Sequence, residues 1–162
     1  MDILFLAITG IILSIFFSSS EIALISANKL QINVWEKQKL RLSKTANSII
    51  NNKEFYLFCI LVGNNIANML TTSFFTIYLL NKGVLPEHTI FIIISLVILL
   101  FAEIIPKSII KEFSNATLLI ISPLLYIFGI FLYPIYSLFT LFAKKNSENS
   151  IFKNKEHDYM RD

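Results

Sequence analysis

The stretch TIFIIISLVILLFAEII, residues 89–105, decides the class of this protein. Nearly every side chain in it is Ile, Leu, Val or Phe until Glu103. A predominantly apolar run of about 17 to 25 residues is typical of a helix that crosses a bilayer. Two further runs of this kind cover residues 3–27 and 55–80. The sequence therefore predicts an all-α integral membrane protein with three transmembrane helices at about these positions.

The composition also places the chain in the lipid bilayer. It has 162 residues, of which 55% are hydrophobic, and a soluble domain of this size would need far more polar surface. The net charge is +3, and the basic residues cluster between and after the apolar runs, a pattern that indicates membrane orientation and not nucleic-acid binding. Cys59 is the only cysteine, which excludes an intrachain disulfide, and the isolated His88 and His157 exclude a zinc framework.

The segments between and after these runs are predicted to lie at the membrane surface. Residues 28–54 carry six basic and two acidic side chains, with apolar residues at roughly helical spacing, which favours one or two short amphipathic helices. Residues 116–143 are apolar, but Pro123, Gly129 and Pro134 interrupt them. This second segment indicates a broken, interfacial or re-entrant helix, and a kinked fourth span is the alternative.

The basic residues predict the orientation of the chain in the cell (plasma) membrane, because positive loops stay in the cytoplasm. The segment 28–54 should be cytoplasmic, and the N-terminus, which has no basic residue before the first run, should be outside. The segment 146–162 is polar, carries further basic residues and is expected to form a cytoplasmic tail. The segment 116–143 should therefore return to the cytoplasmic side.

Two carboxylates, Glu21 and Glu103, lie within the predicted spans. An ionisable residue there costs a few kcal/mol unless it is satisfied, and snorkelling to water is the simplest explanation for both. Ser14 and Ser18, however, precede Glu21 by two helical turns and one helical turn respectively, and fall on the same face of the first span. This spacing favours a shared polar site inside the bundle.

The second span carries a similar stripe, formed by Asn64, Asn68 and Thr71, and Gly63 beside it allows another backbone to approach closely. If the three spans pack together, hydroxyl, amide and carboxylate oxygens converge. Such oxygens suit a hard cation such as Mg²⁺, Ca²⁺ or Na⁺, whereas zinc and copper prefer nitrogen and sulfur ligands. The alternative is that these groups only join the helices, with about 0.6–2 kcal/mol for each hydrogen bond.

Three motifs together resemble the transmembrane domain of the CNNM/CorC family of magnesium transport proteins. They are FFSSSEIAL at 16–24, GNNIAN at 63–68 and AEIIPK at 102–107, and the resemblance covers roughly residues 1–145. It implies three spans, an outside N-terminus, a cytoplasmic belt of helices and a homodimer. One departure is Ala102, which stands where the family usually has glycine.

The resemblance also implies a function, namely Mg²⁺ efflux, with Na⁺ as the coupling ion, through a polar cavity between the helices that opens to the cytoplasm. Glu21 belongs to the first motif, and Pro106 and Lys107 form the helix turn after the third span. By motif, the residues expected to hold the metal are Ser14, Ser18, Gly63, Asn64, Asn68 and Glu103, together with Glu21.

The sequence bears on two other classes of function. A non-transporting cation sensor or assembly module of a larger membrane complex is the first alternative. Family members continue into cytoplasmic CBS modules, which we do not expect here, so a separate CBS-containing partner is also predicted. An enzyme is not expected, because no Ser-His, paired-Asp or His-Glu-x-x-His arrangement occurs in the sequence.

Overall fold

A computed structural model describes residues 2–83 and 86–159 of the chain. All regular structure in these residues is helical, which confirms the predicted all-α class. In chain order the elements are α1 (Asp2–Ser26), α2 (Lys29–Lys37), α3 (Ser43–Asn51), α4 (Lys53–Lys82), α5 (Glu87–Val97), the π-helical segment (Ile98–Ile104), α6 (Ile105–Glu112) and α7 (Ser114–Tyr159). The predicted spans correspond to α1, to α4, and to α5 with the π-helical segment and α6 that continue it.

Helices α1 and α4 form the centre of the bundle and run antiparallel along most of their length. At the end where α2 and α3 lie, which we name the belt end, the Lys53 ammonium donates to the carbonyl of Ile25 at 3.2 Å. Toward the other end, Gly10 of α1 lies against Thr71 of α4. With increasing distance from the belt end, residue numbers therefore decrease along α1 and increase along α4.

Two glycines allow α1 and α4 to approach closely. A Cβ at Gly10 would lie 2.5 Å from Thr71 Oγ1 and 2.9 Å from the Thr71 backbone nitrogen. A Cβ at Gly63 would collide with the buried ring of Phe17. Small residues are a common means of helix association in membranes, where apolar burial against lipid provides little driving force. The close approach predicted at Gly63 is thus present, and Gly10 adds a second one.

The third span packs against both α1 and α4. Its inward face is a stripe of four buried residues at four-residue spacing, namely Ile90, Ile94, Ile98 and Ala102. Partly buried side chains of the other two spans cover this stripe: Ile15, Phe75 and Leu79. The four-residue spacing brings one face of the helix toward the bundle and leaves large apolar side chains exposed on the other.

The helix of the third span continues beyond residue 105, the predicted end of the apolar run. The chain stays helical from Glu87 to Glu112, and it widens into the π-helical segment immediately before Pro106. A proline cannot donate to the carbonyl four residues earlier, and its ring crowds that carbonyl. A wider turn is a known way for a helix to accommodate such a disturbance. Glu103 consequently lies on a widened turn in the interior of a helix.

The segment 28–54 forms two short helices, as predicted. Asn28 caps α2 by accepting hydrogen bonds from two backbone N–H groups of its first turn. The Asn28 backbone N–H donates in turn to Asn115 Oδ1 at 2.7 Å, which ties the start of α7 to the end of α1. Ile32 of α2 and Ile49 of α3 are buried in the main core, so both short helices are fixed to the bundle.

Helix α7 is continuous, so the predicted interruptions at Pro123, Gly129 and Pro134 are wrong. Prolines are tolerated in membrane helices when neighbouring groups satisfy the freed backbone atoms. The helix also extends beyond the predicted range 116–143 and covers Ser114–Tyr159. No glycine or proline follows Pro134 in that range, so the sequence contains no strong signal to end it.

By length and composition, four helices among the described residues could cross a membrane, one more than predicted, and the fourth is Ser114–Leu141. The contacts of α7 nevertheless place Asn115, near its start, and Phe139, within it, near the belt end. Asn115 bonds to Asn28, and Phe139, about 36 Å further along the helix, stacks on Phe58 near the start of α4 with ring centroids 5.5 Å apart. A helix alongside the spans would carry Phe139 toward the opposite end. This geometry indicates a helix that crosses the bundle.

We predict that Gly10→Ala destabilises the protein more than Gly63→Ala does. The new methyl group at position 10 meets the main chain of Thr71, which cannot move without shifting α4, whereas the Phe17 ring can rotate away from position 63. Overpacking of this kind costs about 1–3 kcal/mol. Thermal unfolding in detergent measures the difference, with Ser73→Leu on the exposed face of α4 as the control. Wild-type stability of Gly10→Ala would show that the two helices are further apart.

Candidate cation-binding site

Three polar side chains, one from each predicted span, form a hydrogen-bonded chain inside the bundle. The Ser14 hydroxyl donates to Asn68 Oδ1 at 2.6 Å, and Asn68 Nδ2 donates to Glu103 Oε1 at 2.8 Å. Ser14 is fully buried, while Asn68 and Glu103 are partly buried. Asn68 on α4 therefore connects α1 to the widened turn of the third span.

Two further polar side chains lie one helical turn nearer the belt end. Ser18 follows Ser14 by four residues on α1, and Asn64 precedes Asn68 by four on α4, so the antiparallel register places them at one level. Ser18 is fully buried and Asn64 is 8% exposed. Within the described part of the chain, the buried Ser18 hydroxyl makes no hydrogen bond, and the buried Asn64 Oδ1 accepts none. Such atoms cost about 1–3 kcal/mol each and often mark the place of a water or an ion.

Glu21 does not join this cluster, because it forms an ion pair with Lys107. Glu21 Oε2 lies 2.9 Å from Lys107 Nζ, and the two side chains are 18% and 32% exposed. Glu21 follows Ser18 by three residues on α1, and Lys107 follows Glu103 by four on the third span. The ion pair therefore links α1 to α6 and borders the cluster on the side of the belt end.

The other residues singled out in the sequence have packing roles in the structure. Gly63 accommodates the ring of Phe17 and leaves no room for a side chain. Thr71 is buried, but its hydroxyl donates to the Ala67 carbonyl of its own helix at 2.8 Å, so it does not point its proton at the cluster. Pro106 is buried at the start of α6, where it follows the widened turn.

The cluster is chemically an assembly of hard oxygen ligands. It comprises two serine hydroxyls, two asparagine amide groups and the Glu103 carboxylate, which are ligand types that Mg²⁺, Ca²⁺ and Na⁺ accept. Among the residues that the structure describes, no three His, Cys, Asp or Glu side chains are grouped closely enough to hold a metal ion. A cation here would thus depend on neutral oxygens and one carboxylate.

Two contacts of this site were not predicted from the sequence. The pairing of Glu21 with Lys107 had no signal in spacing, because the residues lie on different helices far apart in the chain. The close approach at Gly10 did have one, since Gly10, Ser14 and Ser18 form a stripe of small residues at four-residue intervals, a pattern typical of helix contacts in membranes.

The amino-acid sequence of this chain is similar to that of known membrane proteins. The chain matches the model of the CNNM family, described as the Cyclin M transmembrane N-terminal domain, over residues 5–162. A relative, the UPF0053 inner membrane protein YfjD of Escherichia coli (strain K12), is 27% identical over 100 residues. That alignment covers 60% of this chain and 23% of the relative, so the chain spans less than a quarter of the relative's length. Because the family model covers nearly all of its residues, this multi-pass membrane protein belongs to the CNNM family.

Proposed function

We propose that this chain binds Mg²⁺ between its helices and exports it, as a membrane module of a secondary transporter with Na⁺ as the coupling ion. The observation that carries the proposal is the chain from Ser14 through Asn68 to Glu103, beside the two buried oxygens of Ser18 and Asn64 that have no partner. Hydroxyl, amide and carboxylate oxygens from three helices meet at this place. A transporter-like role also agrees with membership of the CNNM family.

Helix packing alone accounts less well for the cluster than ion binding does. A hydroxyl or amide that serves to join helices makes its hydrogen bond with the neighbouring helix, as Ser14 does with Asn68. Ser18 Oγ and Asn64 Oδ1 make none among the described residues, although both are buried at the same level between α1 and α4. An oxygen with an unshared lone pair in a dry interior is a suitable ligand for a cation that has lost part of its water.

The ion pair of Glu21 and Lys107 gives the proposed route a gate. It lies one turn from Ser18 and Glu103 toward the belt end, which the basic residues of α2 and α3 assign to the cytoplasm by the positive-inside rule. In the proposed mechanism the pair separates when a cation passes between the cytoplasm and the cluster. We further propose an outside N-terminus, a cytoplasmic C-terminus, a homodimer and a separate CBS-containing partner, each of which follows from the family pattern or the charge distribution.

We predict that Glu103→Gln leaves the protein folded but lowers its affinity for Mg²⁺. The glutamine keeps an oxygen that can accept the Asn68 amide proton, and it removes the only carboxylate bonded to the cluster. Loss of an outer partner of a metal ligand already costs about 10–100-fold in affinity, and we expect at least that loss here. Mg²⁺-dependent thermal protection of the purified protein measures it.

The control for this variant is Glu112→Gln, which removes an exposed carboxylate of α6 outside the cluster. Flux of Mg²⁺ from loaded liposomes completes the test, because a sensor or assembly module would bind the ion without moving it. Equal Mg²⁺ protection in Glu103→Gln and in the wild-type protein would exclude the cluster as the binding site.

We also predict that exchanging the charges of the gate preserves transport. Glu21→Gln and Lys107→Gln each leave one partly buried charge without its partner, so both should slow Mg²⁺ flux. The double variant Glu21→Lys with Lys107→Glu restores an ion pair between α1 and α6 and should recover much of the rate. Flux in liposomes, compared with Mg²⁺ binding to the same proteins, is the measurement. Full activity of both single variants would refute a gate.

A further inference from the structure

A cavity lies at the belt end, on the side of α4 formed by its first turn. It has a volume of about 620 Å³ and opens between the corner of α3 and α4 and one face of α7. We name it the tyrosine groove, because Tyr126, Tyr133 and Tyr136 of α7 line one side of it. Asn52, Lys53 and Glu54 line the opposite side. Its size is in the range of about 300–1,000 Å³ usual for small-molecule sites.

One end of the tyrosine groove presents a positive and a negative charge side by side. Lys53 uses one of its three protons on the Ile25 carbonyl at 3.2 Å and keeps two for another acceptor. Glu54 is exposed, and the one ion pair among the described side chains involves neither Lys53 nor Glu54. Tyrosine rings line the same groove, and a ring face attracts an ammonium group.

The other end of the groove is apolar. A second cavity of about 270 Å³ shares Phe55, Tyr56, Tyr126 and Tyr133 with the first and continues to Ile130. α7 approaches α4 closely below it, since a Cβ at Gly129 would lie 2.9 Å from the Tyr56 ring. The two cavities therefore adjoin, and together they are lined by charged groups at the start of α4 and by apolar side chains of α7.

We propose that the tyrosine groove binds a phospholipid with a zwitterionic amino headgroup, as in phosphatidylethanolamine. The Lys53 ammonium would bind the phosphate, Glu54 and the tyrosine rings would bind the lipid ammonium, and an acyl chain would follow the apolar end along Ile130. Tyrosines and lysines are typical of the headgroup level of a bilayer. An anionic lipid without an amine matches this pair of charges less well, because Glu54 would face it with a like charge.

Native mass spectrometry of the delipidated protein, with phosphatidylethanolamine, phosphatidylglycerol or phosphatidylcholine added back, tests the inference. We expect phosphatidylethanolamine to be retained best, because the quaternary amine of phosphatidylcholine cannot donate a hydrogen bond to Glu54. Glu54→Gln should weaken its retention about tenfold, the factor for about 1.4 kcal/mol of lost interaction. Lys53→Gln should have a similar effect.

Two matched variants serve as controls, Lys44→Gln on the exposed face of α3 and Glu112→Gln on α6, and both should retain the lipid as the wild-type protein does. Glu54→Gln is the decisive variant. The native Glu54 side chain makes no hydrogen bond within the described residues, so this substitution leaves the fold intact. Equal retention of all three lipids, or unchanged retention in Glu54→Gln, would overturn the proposal. Binding of Mg²⁺ plays no part in this measurement, so it is independent of the proposed transport.

Discussion

The close antiparallel contact of α1 and α4 is the constraint on which the rest of the structure depends. Gly10 and Gly63 remove the side chains that would hold the two helices apart. Only at this separation can the short side chain of Ser14 reach Asn68 at 2.6 Å. Asn68 then extends the contact to Glu103, so the third span is positioned by the same hydrogen-bonded chain. The packing of small residues and the polar cluster are thus two results of one helix spacing.

The carboxylates of Glu103 and Glu21 have different partners, and under the proposed function this difference gives them different roles. Glu103 accepts a hydrogen bond from the neutral amide of Asn68, so its negative charge is left without a charged partner in the described structure. Glu21 is paired with the Lys107 ammonium. A carboxylate that faces only neutral donors retains its attraction for a cation, whereas a paired one has it largely cancelled.

The sequence predicted the helical class and the three central apolar runs from length and composition. It predicted the two short belt helices and the polar stripes of α1 and α4 from periodicity along a single helix. Ser14 and Ser18 share a face by their spacing, as do Asn64 and Asn68, whichever way the helices pack. What it could not predict depends on contacts between helices or on the backbone. The pairing of Glu21 with Lys107, the widened turn before Pro106 and the path of α7 across the bundle are of this kind.

Under the proposed function, a bound cation would interact electrostatically with both the cluster and the ion pair of Glu21 and Lys107. With Glu103 as its only anionic ligand, a divalent cation would keep a net positive charge. Neutral hydroxyl and amide oxygens can orient toward that charge, but they do not cancel it. A net charge in an apolar interior is costly, so a second anion close by would stabilise the ion. Glu21, one turn from Ser18, is placed to provide it, and Lys107 holds that same carboxylate at 2.9 Å. Under the proposed function, the ion and the lysine therefore compete for Glu21, and this competition gives the opening of the pair a physical cause.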